Sequence, residues 1–419
     1  MDKHTLSSLQ EAAGEVAKSV HSLSTESREG SKDNGKSEAT RQELLDSVSR
    51  LQQLALRPDE ALTQMVVQHQ QFASIHWLCH FRIPAHVPSR LQSIGYADVA
   101  AIAKVSEKTL RSIARMAMTA NFLGETKEGQ LVHTELSECF IQEDGHFQNW
   151  ITFIARRIVP TMHKMVDATE RWGETKTGNE TAYSLAMGTE KSFFEHINST
   201  PDLAKEIGGY MRSRAVITPQ SGVDDLIQYF DWEGLGSGLV VDVGGGDGEI
   251  AIGLANAFPQ LSFVVQDLPR FIDQGKEIAK KLSPAVSSRV ELQVHDFFND
   301  QPVKEASVYL MRGVFHNWGE EDAAKLLEKT IAAMKADTKI IIVDMVLLAP
   351  GSLPAYVEGM QREKDLTMMQ LLNAGERQWE DWHSLLQNAG LKIESITRPS
   401  GKRESVMVAV LANNTNGSS

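Results

Sequence analysis

The chemistry of this 419-residue chain is concentrated in one histidine, two acids and a glycine-rich turn. His316 stands in Leu310-Met311-Arg312-Gly313-Val314-Phe315-His316-Asn317-Trp318, just past an apolar run of strand character. A phenol, with a pKa of about 10, is a poor nucleophile at neutral pH. An imidazole, with a pKa of about 6.5, can take its proton while the oxygen attacks an electrophile. A carboxylate at the other ring nitrogen would fix the tautomer. Asp344 closes a later strand run and Glu376 opens a helical one, so both are expected on the same sheet edge as His316. A lone histidine is more often structural. The strand-end position and the two acids favour a general base here.

The second constellation is Val240-Val241-Asp242-Val243-Gly244-Gly245-Gly246-Asp247-Gly248-Glu249, an apolar strand running into a glycine turn and then a helix. Glycines let a backbone turn sharply and approach a ligand that a Cβ would push away. The next strand, Phe263-Val264-Val265-Gln266-Asp267, ends in an acid suited to both hydroxyls of a ribose. Gly244, Gly245, Gly246 and Asp267 are therefore expected to bind a nucleoside. A dinucleotide is the rival ligand. Against it, Asp242 and Asp247 flank the turn, where acids repel a pyrophosphate but suit a cationic amino acid. The strand unit also comes late, after a large helical region. A third strand ends in His295-Asp296-Phe297-Phe298, offering Asp296 to an adenine amino group and Phe297 as a ring to stack on it. The plainer alternative for that pair is a strand-end turn and a core aromatic. S-adenosylmethionine carries a nucleoside, a cationic amino acid and a sulfonium methyl, and it fits these features better than NAD.

Elements of alternating type must position these groups. From Gly238 onward, strand-like runs fall at Leu239–Val243, Leu261–Gln266, Val290–Val294, Ser307–Leu310, Lys339–Val343, Lys392–Ile396 and Val406–Val410. Helical patterns lie between the first five and again at 376–389. This predicts an α/β fold, a doubly wound sheet over residues 231–413, with the last two strands as a hairpin at one edge. Upstream, Tyr96–Ala103 and Thr109–Met116 read as helices about a capped turn, followed by a hairpin of Phe122–Glu125 and Leu131–Thr134 around Gly129. Helix, turn, helix, hairpin is a winged-helix pattern, expected within a mostly helical domain at 41–150. Such domains often bind DNA, but the second helix carries only Lys108, Arg111 and Arg115, and a dimerising role is favoured. Residues 151–230 read as a helical connector lining a substrate pocket. At the start, Leu6, Leu9, Ala13, Val16, Val20 and Leu23 share one helix stripe. That stripe either covers its own core or packs on a second subunit. Glu26–Thr40 is polar and reads as a disordered linker, making 1–40 a helix plus linker, and 414–419 a tail.

Composition narrows the classes. A net charge of −13 without a basic cluster argues against a nucleic-acid partner. Cys79 and Cys139 are too few for a disulfide framework or a Cys-rich zinc site, and no metal is expected. No stretch approaches the roughly 20 apolar residues of a membrane helix, and Met1–Leu9 lacks a signal-peptide pattern. A cytoplasmic protein with no membrane partner is expected.

These motifs resemble the plant caffeate-type O-methyltransferases and, more closely, their relatives in fungal secondary metabolism, over roughly residues 60–412. The resemblance implies an N-terminal winged-helix dimerisation domain, a Rossmann-like C-terminal domain that binds S-adenosylmethionine, and a homodimer that methylates a hydroxyl of a small aromatic or polyketide-type metabolite. It assigns Gly244–Gly248 to the cofactor loop and Asp267 with Leu268 to the ribose, in an Asp-Leu-Pro segment. Asp296 and Phe297 fall at the adenine and Arg312 where a Lys or Arg meets the cofactor. His316 falls at the base, and Asp344 and Glu376 at the acids that orient it. It also implies a scattered apolar substrate pocket, with Asn317, Met368, Met369 and Leu372 as contributors. Asn317 departs from the Asp that usually follows the base, and Asp344 from a longer Glu. Some members of the fungal group act as pericyclases that bind S-adenosylmethionine without consuming it, with the base position altered; His316 is intact here. His133, at the end of the hairpin, would reach the substrate cavity if its domain caps the site, and is otherwise a strand-end residue.

Overall fold

The computed structural model describes residues 3–28, 34–89, 92–217, 222–398 and 403–412. They form two compact units, one of Met1–Thr25, Glu43–Glu174 and Gly178–Pro219, the other of Glu26–Gln42, Thr175–Thr177 and Gln220–Ser419.

The first unit is mostly helical. It contains α1 (Lys3–Arg28), α2 (Asn34–Ala55) and α3 (Pro58–His80). The polar segment Glu26–Thr40 is therefore helical on both sides, and only 29–33 lie outside the described residues. Its Glu, Lys and Ala residues are good helix formers, and the apolar spacing from Leu44 carries the helix back through them. Arg50 of α2 reaches Glu11 and Glu15 of α1, at 3.5 and 3.2 Å.

Next come β1 (Ile94–Gly95), α4 (Tyr96–Ala103), α5 (Glu107–Met118), β2 (Gly124–Glu125) and β3 (Gln130–Val132), with β3 between β1 and β2 in an antiparallel sheet. Ser106 caps α5 by accepting from the Thr109 N–H. Gly129 takes φ +74° at the hairpin turn, a conformation glycine adopts without strain. Arg115 of α5 is paired with Glu125 at 2.8 Å, and Arg111 with Glu107 at 2.8 Å. The helix His146–Phe153 runs through the boundary expected at 150, and residues beyond it belong to the same unit.

The second unit is the α/β domain, and it begins before residue 231, with the helix Val223–Tyr229. A Cβ on Gly253 would meet Val223 at 2.5 Å, so glycine lets the following helix, Glu249–Ala257, pack closely on it. The strands are β4 (Leu239–Val243), β5 (Ser262–Asp267), β6 (Val290–Val294), β7 (Val308–Arg312), β8 (Lys339–Leu347), β9 (Arg377–Gln378), β10 (Leu391–Thr397) and β11 (Glu404–Leu411). Their order is β10-β11-β8-β7-β4-β5-β6, with β9 paired to β8. Strands β4 to β8 run parallel, and β11 and β10 close one edge as an antiparallel hairpin.

The central strands are apolar along their length because both faces are covered. Val241, Tyr309, Ile340 and Ile342 enter one core; Val240, Val308, Leu310 and Ile341 enter the other. One expected helix is missing: 295–307 joins β6 to β7 without one. Side chains hold that link instead. Gln301 and Gln266 exchange amide hydrogen bonds at 2.8 Å, and Tyr309 donates to the Val303 carbonyl at 2.7 Å. One helix not anticipated, Ala355–Leu372, follows β8. Among the described residues no helix is long and apolar enough to cross a membrane. The tail at 414–419 lies outside the described residues.

Candidate functional site

The chain winds away from β4 in both directions, toward β5 on one side and β7 on the other. Ligands in such sheets bind at the carboxyl ends of the strands beside this switch. The glycine turn follows β4 and the His316 turn follows β7, so the two sequence motifs flank it.

On the β4 side, Gly244, Gly246 and Gly248 take φ of +71°, +63° and +89°. A Cβ on Gly245 would lie 2.5 Å from Asp242 Cγ. Asp242 is buried, and its Oδ2 lacks a hydrogen-bond partner. Burial pushes this carboxyl up to about 7, against the Arg312 charge. Asp267 is fixed by the backbone: Oδ2 accepts from Gly246 N–H at 2.8 Å and Oδ1 from Leu268 N–H at 2.6 Å. Each oxygen keeps lone pairs for further donors. Phe297 sits against the turn, where a Cβ on Gly244 would lie 3.7 Å from its ring. It packs edge-on to Trp318 at 5.9 Å. Asp296 is exposed and accepts from the Phe298 N–H at 3.0 Å, as a strand-end turn would have it. An open glycine turn, an orphaned buried carboxyl oxygen, a fixed acid and an aromatic wall fit a nucleoside that carries a cationic amino acid.

On the β7 side, Gly313 takes φ +63° and donates to the Val343 carbonyl at 2.9 Å. The chain then makes a short 3₁₀ turn over Phe315–Asn317, and Asn317 Nδ2 donates to the Gly313 carbonyl at 3.1 Å. His316 is 9% exposed. Its Nδ1 lies 3.1 Å from Asp344 Oδ1 and 3.3 Å from Glu376 Oε1, between the two carboxylates and without a well-directed hydrogen bond to either. Its Nε2 meets no hydrogen-bond partner among the described residues.

Asp344 does not close its strand, as the sequence pattern suggested. Strand β8 continues to Leu347, where β9 pairs with it, Val346 opposite Arg377. That pairing brings Glu376 alongside Asp344. Burial and the Lys364 charge pull the His316 pKa down, the two carboxylates push it up, and the carboxylates win: it lies above its ordinary value. Burial opposes ionisation of Glu376, but contact with His316 and Lys364 holds it at about 2.

Two residues of this site were not singled out in the sequence. Lys364 Nζ lies 3.2 Å from Glu376 Oε1. Arg377 is buried and clamps the turn that carries His316, donating to the Phe315 carbonyl at 2.9 Å, to the Trp318 carbonyl at 2.8 Å and to Glu320 at 2.6 Å. An arginine directly after a candidate acid was visible; its partners depend on the β8–β9 pairing.

Lys364, Met368 and Leu372 follow one another at four-residue steps on one helix face. Met368 and Leu372 therefore share the side from which Lys364 reaches Glu376. Met369 lies off that face and is 44% exposed, so it departs from the expected pocket. His133 departs too: Nδ1 meets Ser137 Oγ at 2.8 Å and Nε2 the Val87 carbonyl at 3.2 Å, which occupies both ring nitrogens. His316, Asp344 and Glu376 could also hold a metal, with ligand atoms within 4.8 Å of one another. The Lys364 ammonium, however, already supplies a cation to that group.

Comparison with known proteins agrees with this geometry. Residues 172–392 match the model of the O-methyltransferase domain. O-methyltransferase fsr2 of Gibberella fujikuroi is 44% identical over 375 residues, covering 89% of this chain and 97% of that protein. The solved structure of OxaC superposes with a TM-score of 0.80 at 23% identity, covering 97% of this chain and all of that one. A solved pericyclic reaction enzyme superposes with a TM-score of 0.76 at 19% identity, covering 94% of this chain and all of that one. The chain belongs to the O-methyltransferase family.

Proposed function

We propose that this protein transfers the methyl group of S-adenosylmethionine to a hydroxyl of a small aromatic or polyketide-type metabolite, with His316 as general base. The observation that carries this reading is the His316 ring. One nitrogen faces two buried carboxylates, and the other is unbound beside the switch point. S-adenosylmethionine, when bound, supplies an electrophilic methyl group. OxaC, solved in complex with SAH and oxaline, supports this choice of cofactor and a small-molecule acceptor. Asp267 and the turn Gly244–Gly246 hold the nucleoside, Leu268, Asp296, Phe297 and Arg312 complete its surroundings, and Asp242 favours its ammonium group. His316 Nε2 takes the hydroxyl proton as the oxygen gains its methyl. Asp344 and Glu376 orient the ring and stabilise the imidazolium that forms, as charges do in a site closed to water. Asn317, Met368 and Leu372 border the acceptor. No metal takes part, because the acids are committed to the imidazole and to Lys364.

The α4–α5–hairpin region is a winged helix that serves dimerisation. Two of the three basic residues of α5 are already paired with acids, which supports that role over DNA binding.

Mass spectrometry of reactions with methyl-labelled S-adenosylmethionine and a panel of phenolic polyketides tests the reading. A product heavier by one labelled methyl is expected. A product of unchanged mass, with the cofactor intact, would make the chain a pericyclase-type catalyst instead.

A further inference from the structure

Lys364 lies on the helix Ala355–Leu372 and is 6% exposed, a position lysines rarely take unless paired. Its ammonium approaches Glu376 Oε1 at 3.2 Å, and the same oxygen lies 3.3 Å from His316 Nδ1. One carboxylate oxygen is thus shared between a lysine and the candidate base.

We propose that Lys364 is a positioning residue for proton transfer: acting through Glu376, it supplies the positive charge that lets His316 release its proton and stand ready as a base. This rests on the reading of His316 as the general base. Two carboxylates facing one imidazole create a problem. They stabilise the imidazolium that forms during reaction, yet they also favour it at rest, where it can accept nothing. With Lys364 protonated and His316 neutral, the buried group carries one net negative charge, and taking the substrate proton brings it to neutrality. Without Lys364 the same group would carry two, and His316 would hold its resting proton more tightly.

The charged groups facing this cluster come from three elements. Asp344 is on β8, Glu376 precedes β9, and Lys364 and Asp365 lie on the helix. Asp365 Oδ1 accepts from the Glu376 N–H at 2.9 Å, which fixes the backbone of the shared acid. Burial raises the Asp365 carboxyl, so it weighs less than the other two acids in the balance. The Lys364 charge acts on His316 in the lowering direction, the same direction as burial.

The test needs no acceptor molecule. The His316 imidazole is titrated by nitrogen-15 NMR in the full chain, with its resonance assigned by its loss in His316→Gln. In Lys364→Gln the midpoint should rise by about one unit or more, a tenfold gain in proton affinity. Lys364→Arg, which keeps the charge, should stay near the parent protein. If Lys364→Gln does not melt as a folded protein, the pair Glu376→Gln and Lys364→Gln/Glu376→Gln carries the test. Removing the lysine from the Glu376→Gln background should raise the midpoint again. A midpoint that ignores removal of Lys364 in both backgrounds overturns the proposal. The base reading fails separately, if His316→Gln turns over normally whatever the titrations show.

Discussion

Asp344 Oδ1 stands 3.1 Å from His316 Nδ1, and it does so from inside a strand, three residues before β8 ends. Its other oxygen accepts the Phe315 N–H at 3.1 Å. One short carboxylate therefore holds both the ring and the backbone of the turn that bears it. The shorter acid reaches the ring because the turn is drawn down onto it.

Asp267 has a double task in this account, bonding the glycine turn through its backbone and the ribose through its spare lone pairs. Asp267→Ala should weaken S-adenosylmethionine binding by roughly 10²–10⁴-fold, from two lost hydrogen bonds at about 1.5–3 kcal/mol each. Titration calorimetry on the folded variant checks this, and an unchanged affinity would remove Asp267 from the site.

Arg377 carries the turn mechanically. Arg377→Met leaves the carbonyls of Phe315 and Trp318 without their donor. Stability should fall by about 2–4 kcal/mol in denaturant unfolding. Turnover should drop more than cofactor affinity, because the glycine turn is untouched. Arg377→Lys should not restore the parent protein, since one ammonium cannot reproduce the planar fork. Parent-like stability in Arg377→Met would show that the clamp is incidental.

Much of this was legible in the sequence, for local reasons. The runs Leu239–Val243 and Val290–Val294 are apolar or alternating, bounded by turns, and form strands over those same residues. The glycine turn and Asp267 followed from spacing alone. What the sequence concealed depended on long-range pairing. Nothing local shows that β8 runs past Asp344 or that Arg377 pairs with Val346, so Asp344 read as a strand end and Glu376 as a helix start. Lys364 sits amid charged residues on a weakly amphipathic helix and looks like surface until its partner is known. His133 misled in the opposite way: its strand-end place looked exposed, whereas Ser137 and Val87 enclose it.

The stripe on α1 is split. Leu6 and Val20 are 52% and 47% exposed, while Ala12 beside them is fully buried. A second subunit covering the open edge predicts a dimer by light scattering at micromolar concentration. Leu6→Glu/Val20→Glu should weaken it by at least tenfold. A monomeric parent protein contradicts the dimer, and an unaffected dimer leaves α1 as a local cover.

The central claim, that His316 is the base, is tested most directly by the pH dependence of methyl transfer in the parent protein and in His316→Gln. Two carboxylates hold the His316 pKa above its ordinary value in spite of burial and Lys364. The base form therefore appears only as pH rises, and the parent rate should climb through a midpoint above about 6.5. His316→Gln should bind S-adenosylmethionine as before and lose roughly 10²–10⁴-fold in rate. That deficit should shrink as pH approaches the acceptor phenol's own pKa of about 10, where the hydroxyl arrives already ionised. A variant with full turnover, an unconsumed cofactor and a product isomeric with its substrate would contradict the account.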